Sequence, residues 1–171
     1  MSSLKTEIER QAPFTSREEE VFLNLIRSAD FCQRYFRRRT RSWGITGTQY
    51  NVLRILCSAG SRGLTCAEIG RRMITVEPDV TRLLNRLKAL KLVQQSRDRN
   101  DRRVVWTHIT AAGLELIEAM NSVVLRVPLD LFGHMTEEEI TEFNRLLESA
   151  RSRSEELSQG EAGLASETAP S

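Results

Sequence analysis

Cysteine is scarce in this 171-residue chain, and histidine is scarcer still. The three cysteines, Cys32, Cys57 and Cys66, are odd in number, widely spaced and without a CxxC pair. That excludes a disulfide framework, and free thiols packed as small hydrophobes fit a reducing compartment. His108 and His134 have no Cys or His partner at ligand spacing, so no metal site is expected. No apolar run approaches the roughly 20 residues of a membrane span. Residues 1–14 also lack the apolar centre of a signal peptide, and the expectation is a cytoplasmic protein away from membranes. There is no glycine-rich phosphate loop and no set of nucleophile, base and orienter, which argues against an enzyme and against a cofactor.

What the chain does have is charge, unevenly placed. The formal net charge is only +2, but residues 34–103 hold 17 Lys or Arg against 5 Asp or Glu, while the rest holds 8 against 18. A basic centre between acidic flanks is the electrostatic footprint of a nucleic-acid-binding segment, with flanks that are poor DNA binders.

Within that centre, Val80, Leu83, Leu84, Leu87 and Leu90 recur at the three-and-four spacing of one helical stripe, in a helix expected from Pro78 to Lys91 with Pro at its first position. At about 100° per residue, the opposite side holds Pro78, Arg82, Asn85 and Ala89, flanked by Thr81 and Arg86. Arg suits guanine edges, Asn suits adenine, and Thr reaches either a base or a phosphate. After it comes Arg97-Asp98-Arg99-Asn100-Asp101-Arg102-Arg103, then the alternating run 104–109. The Asp98-to-Asp101 stretch is a turn signal and the alternation a strand signal, so a β-ribbon is expected to present Arg99, Arg102 and Arg103 to a minor groove. Asp101 is expected to pair with a neighbouring arginine and stiffen the loop. A solvated charged face is the plainer reading of either piece alone; helix and ribbon in tandem favour DNA.

Helix starts are written along the rest of the chain. Thr15 or Ser16 with Glu18 and Glu19 opens a long helix with an apolar stripe Val21, Phe22, Leu25, Ile26, Ala29, Cys32 and Phe36, stopped at Gly44. Thr46 with Gln49 and Thr65 with Glu68 read as capping boxes for two further helices. Thr110 is expected to cap a helix running to a break at Pro128, and Thr136 with Glu139 to cap a last one. The expected architecture is mainly α, an α+β winged helix-turn-helix with a three-stranded wing sheet. Residues 44–110 would form the DNA-binding domain, 15–43 and 111–157 a helical dimerisation region, and 158–171 a disordered tail. The terminal helices carry more apolar surface than the module needs, so a homodimer of two-fold symmetry is expected.

The sequence resembles the MarR family of winged-helix transcriptional regulators. The match is carried by Gly44-Ile45-Thr46-x-x-Gln49-Tyr50-x-Val52-Leu53, by residues 80–87, by Lys91-Leu92-Val93, by Asp98-x-x-Asp101-Arg102-Arg103 and by Ile109-Thr110-x-x-Gly113, over residues 15–157. The resemblance implies a ligand-responsive dimer, a repressor by expectation, on a pseudo-palindromic operator in double-stranded DNA. It implies recognition-helix contacts from Pro78, Asp79, Thr81, Arg82, Asn85 and Arg86, and wing contacts from Arg99, Arg102 and Arg103. Asp79 departs from a DNA-friendly surface: it either accepts from cytosine or serves the helix start. The family's effector cleft would involve Phe31, Tyr35, Trp43, Tyr50 and Arg54, an aromatic pocket with one cation suited to aromatic or phenolic acids. Packing into core and interface is the alternative for each aromatic. Two other functions stay open. One is thiol-based redox sensing, with Cys32 beside Arg34 and Arg37 as candidate, although the family's thiol-sensing branch places its cysteine nearer the start of the first helix. The other is a protein-interaction module without specific DNA binding.

Overall fold

Helix starts in this chain are fixed by side-chain caps. The computed structural model describes residues 4–167. A short helix α1 (Leu4–Glu7) precedes α2 (Arg17–Thr40), where the Ser16 hydroxyl accepts from the Glu19 N–H at 3.1 Å. Glu19 in turn accepts from the Thr15 N–H at 2.6 Å and from Arg10 at 2.7 Å. Those hydrogen bonds hold its carboxyl at a pKa of about 2, with the Arg10 bond the largest cause. Three glutamates in the first turn and three arginines in the last complement the helix dipole. A 3-10 turn then ends on Gly44, whose φ of +69° is the left-handed conformation glycine adopts without strain.

Both arms of the capping box are made at α3 (Gly47–Ala59), by Thr46 and Gln49, and at α4 (Cys66–Arg72), by Thr65 and Glu68. Between them lies the short strand β1 (Leu64–Thr65); α5 (Val80–Ala89) follows α4, and then come β2 (Val93–Arg97) and β3 (Val105–Ile109). The three strands form an antiparallel sheet in the order β1-β3-β2, with Thr107 opposite Leu64 on one side and Gln95 on the other. Val52, Leu53 and Leu56 of α3, Leu64 of β1, Ile69 of α4 and Leu84 and Leu87 of α5 are fully buried in one core, joined by Met120 of α6 (Ala111–Phe132). This is the expected winged helix-turn-helix.

Three boundaries differ from the sequence expectation. Pro78 is not the first residue of α5: the helix starts at Val80, because the Asp79 carboxylate accepts from the Arg82 N–H at 2.8 Å and makes Asp79 the N-cap. Pro128 does not break α6, which continues to Phe132. A proline ring removes one backbone hydrogen bond, and turns persist on both sides of it here. The last helix, α7 (Glu137–Glu167), runs past Leu157, after which a disordered tail was expected to begin; residues 168–171 of that tail lie outside the described residues. The chain divides into two compact units at Val127 and Pro128.

α5 is closed by a turn at Lys91, a non-glycine residue at φ +59°. The Lys91 N–H donates to the Lys88 carbonyl and the Leu92 N–H to the Leu87 carbonyl, the paired bonds of a Schellman motif, with Leu87 and Leu92 both buried beneath it. The Thr110 hydroxyl donates to the Lys91 carbonyl at 2.8 Å and accepts from the Gly113 N–H at 3.1 Å, so the same loop is tied to the start of α6. A Cβ at Gly113 would collide with the Leu92 carbonyl oxygen and the Ile109 side chain. Gly113→Ala should therefore destabilise the fold by about 1–3 kcal/mol, despite the better helix propensity of alanine, as read from the denaturant midpoint.

Candidate nucleic-acid interface

The exposed side of α5 is polar up to Ala89 at its end. Leu83, Leu84 and Leu87 are buried, whereas Thr81, Arg82, Asn85, Arg86 and Ala89 face outward. Leu90, expected on the apolar stripe, is exposed because the helix stops before it. Pro78 and Asp79 are also exposed, in the turn that leads into α5. Asp79 is the cap, with its carboxylate engaged by the helix backbone, and this is a structural role that needs no base.

The wing is braced from inside by one carboxylate. Asp98 accepts from the backbone N–H groups of Asn100 and Asp101 at 2.8 and 3.0 Å, and from the Trp106 indole N–H at 2.9 Å. The indole bond is the largest cause holding the Asp98 carboxyl below the usual range, followed by the two backbone bonds. The sequence marked Asp98 as a turn former but did not reveal the Trp106 contact, which crosses the hairpin. Asp101 takes Arg103 side-on, at 3.1 Å to Nε and 3.1 Å to Nη2, so the expected stiffening pair exists and its partner is Arg103. Arg99, Arg102 and Arg103 are all exposed at the tip.

Because folding lowers the Asp98 pKa, its stabilising effect is present above the ordinary Asp value near 3.9 and is lost as pH falls through the lower folded value. Acid titration should therefore release the hairpin below the ordinary carboxylate range, seen as a change in Trp106 fluorescence. Asp98→Asn should remove that acid transition.

A larger hollow lies away from the α5 face. It has a volume of about 900 Å³ and lies among the carboxyl end of α2, the start of α3, residues 74–75 and α6. Tyr50 and Arg54, two of the five residues expected there, line it. Phe31, Tyr35 and Trp43 do not: Phe31 lies under the guanidinium groups of Arg27 and Arg34, Tyr35 under that of Arg38, and Trp43 packs on the core. Helical spacing explains this, because Phe36 rather than Tyr35 is the α2 aromatic on the lined side, at 5.9 Å from the Tyr50 ring. Arg37 and Arg41 also line the hollow, an i,i+4 pair that sequence reasoning missed. Burial pushes the Tyr50 phenol up in pKa, opposed by Arg54. Asn51, on the same wall, accepts from the Ile74 N–H at 3.1 Å and so ties α3 to the turn before α5.

A family model described as MarR family matches residues 43–104, from just before α3 to the end of the wing tip ahead of β3. A MarR transcription factor from Planctomyces limnophilus is 32% identical in its crystal structure, with a TM-score of 0.62, over 80% of this chain and 98% of that one. The chain belongs to the MarR family. Two further structures are 25% identical: S. aureus MepR in complex with DNA, with a TM-score of 0.71 over 82% of this chain and 99% of that one, and Bordetella bronchiseptica BpsR, with a TM-score of 0.72 over 82% and 98%. MarR-family regulators are non-enzymatic DNA-binding proteins.

In this MarR-family chain no described helix is long and apolar enough to cross a membrane. Among the described residues, no three His, Cys, Asp or Glu side chains converge as a metal site would require. All three cysteines are half-buried thiols. Beside Cys32, Arg34 is engaged by Asp30 at 2.9 Å and by the Phe31 ring at 4.6 Å.

Proposed function

We propose that this MarR-family regulator is a homodimeric repressor of a pseudo-palindromic operator, released by a small aromatic acid. The observation that carries the DNA reading is the juxtaposition of an outward face bearing Thr81, Arg82, Asn85 and Arg86 with a carboxylate-braced tip bearing Arg99, Arg102 and Arg103. The helix reads bases in the major groove, and the tip enters the adjacent minor groove. Pro78 and Asp79 set the entry of α5 rather than reading bases.

Dimerisation is supported by apolar side chains left exposed within each unit: Val21, Phe22, Leu25 and Ile26 on α2, and Phe143 and Leu146 on α7. These faces are too apolar to be left in water, and a second copy is their occupant.

The effector reading rests on the 900 Å³ hollow. Phe36 and Tyr50 supply ring contacts, and Arg37, Arg41 and Arg54 supply guanidinium groups for a carboxylate. BpsR, whose DNA binding is regulated by 6-hydroxynicotinic acid, supports this ligand class. Ile74 and Thr75 lie on the wall, so a ligand there presses on the turn that leads into α5.

Selection of bound duplexes from a random pool, repeated with a panel of hydroxylated aromatic acids, tests the whole reading. The expected result is a two-fold symmetric footprint with half-sites about one helical turn apart, roughly 34–36 Å, and loss of binding with at least one acid. That loss should be abolished by Arg54→Ala. An asymmetric footprint would sink the dimer, and indifference to every acid would sink the effector.

A further inference from the structure

The two most exposed large hydrophobic side chains among the described residues stand two positions apart in the turn between α4 and α5. Ile74 is 85% exposed and Val76 98%, whereas the next, Val21 on the proposed dimer face of α2, is 66% exposed. Ile74 is engaged within the chain: it lines the large hollow, and its N–H is held by Asn51 of α3 at 3.1 Å. Val76 is not. It lines no wall of that hollow, packs on no core side chain, and lies on neither of the helices that carry the proposed dimer faces.

The surroundings of Val76 fit nucleic acid. Asp79, three residues on, caps α5 through the Arg82 N–H, so the turn runs directly into the helix end that meets base edges. Arg71 and Arg72 at the end of α4 are exposed on one side of the turn and Arg82 in the first turn of α5 on the other. Guanidinium groups so placed draw phosphates to both flanks. A lone branched aliphatic is too small to anchor a protein partner, because the residues that dominate such interfaces are large and clustered. It is matched in size to the one apolar group that the major groove offers, the C5-methyl of thymine.

We propose that Val76 reads a thymine methyl in each half-site of the operator, in the same half-site as the base that Arg82 reads. The inference rests on the reading that α5 lies in the major groove. The contact takes two apolar surfaces out of water and uses no hydrogen bond. Valine turns about a single side-chain bond, so fixing it against DNA costs little entropy. Uracil pairs with adenine as thymine does and keeps the same O4 acceptor, lacking only the methyl, so the contact separates these two bases where hydrogen-bond readout cannot.

The test uses the full chain and the duplex selected from a random pool, resynthesised with deoxyuridine in place of one thymidine at a time, with affinity read by fluorescence anisotropy. In the parent, uracil at one position of a half-site is expected to weaken binding about fourfold, the effect of one methyl group left in water, and about fifteenfold when both half-sites carry it. Val76→Ala should bind the thymine duplex more weakly by a similar factor and bind the thymine and uracil duplexes alike. Its denaturant midpoint should match the parent's, because the side chain is exposed. A selected half-site containing no thymine would overturn the contact at once. Indifference to uracil at every position, in a duplex whose preference at one base is still relaxed by Arg82→Ala, would overturn the contact and leave the α5 reading standing. A uracil effect that persists in Val76→Ala would assign the methyl to another side chain and overturn the role of Val76. Weaker self-association of Val76→Ala without DNA, together with equal binding of both duplexes by the parent, would give Val76 to a second copy and overturn it as well. If the parent binds no duplex, or Arg82→Ala keeps every base preference, the α5 reading itself fails and takes the contact with it.

Discussion

Raising salt from about 50 to about 200 mM should weaken operator binding by on the order of 10³-fold or more. Each copy offers Arg86, Arg99 and Arg102 as exposed cations flanking the proposed reading face, so the proposed dimer would neutralise at least about six phosphates. Every neutralised phosphate releases condensed counterion, and the log–log slope is about −0.9 per phosphate, so a slope near −5 or steeper is expected. Arg103 is expected to contribute less, because Asp101 already occupies one edge of its guanidinium with two hydrogen bonds. Asp101→Asn would free it and steepen the slope. Fluorescence anisotropy of a labelled operator across a salt series measures this directly. A shallow slope would mean that the basic face docks on something other than a polyanion, and the protein-interaction reading would replace the regulator.

Arg82→Ala should cost about 1–3 kcal/mol of specific binding and relax the preference at one base position in each half-site. The Arg82 backbone N–H is fixed by the Asp79 carboxylate while its side chain is exposed in the first turn of α5, the end of a recognition helix that meets base edges. Truncation at Cβ leaves that cap intact, so the loss reports on the guanidinium alone. Non-specific affinity should fall far less, which separates base reading from phosphate anchoring. Arg99→Ala is the counterpart: affinity falls across all sequences, with the major-groove preference kept. If Arg82→Ala retained the parental sequence preference, α5 would not be the reading element.

How much of this was legible beforehand follows from range along the chain. The boxes at Thr46 and Thr65, the Thr110 cap and the polar side of α5 are local chemistry, decided within four residues, and each stands where the sequence puts it. Pro78 misled because its preference for a first helical turn lost to the stronger cap offered by Asp79 next to it. The large hollow was half legible. Tyr50 and Arg54 share α3 with the capping box that positions them, whereas Phe36, Arg37 and Arg41 face it only because of where α2 crosses α3, a tertiary fact without a local signal. The brace from Trp106 to Asp98 is hidden for the same reason: its partners are eight residues apart and meet only when the strands pair in register.

The Schellman turn at Lys91 leaves almost no slack between α5 and β2, and Thr110 fastens the same turn to α6. Reading helix and wing are therefore geared together like two teeth on one wheel. Neither can be retuned to a different groove phase without moving the other. A ligand in the proposed effector hollow, pressing on residues 74–75, would not need to disorder anything to silence the protein. A few degrees of rotation of the whole wheel mistimes both teeth at once, and operators that vary the distance between half-sites should be punished far more than operators that vary a single contacted base.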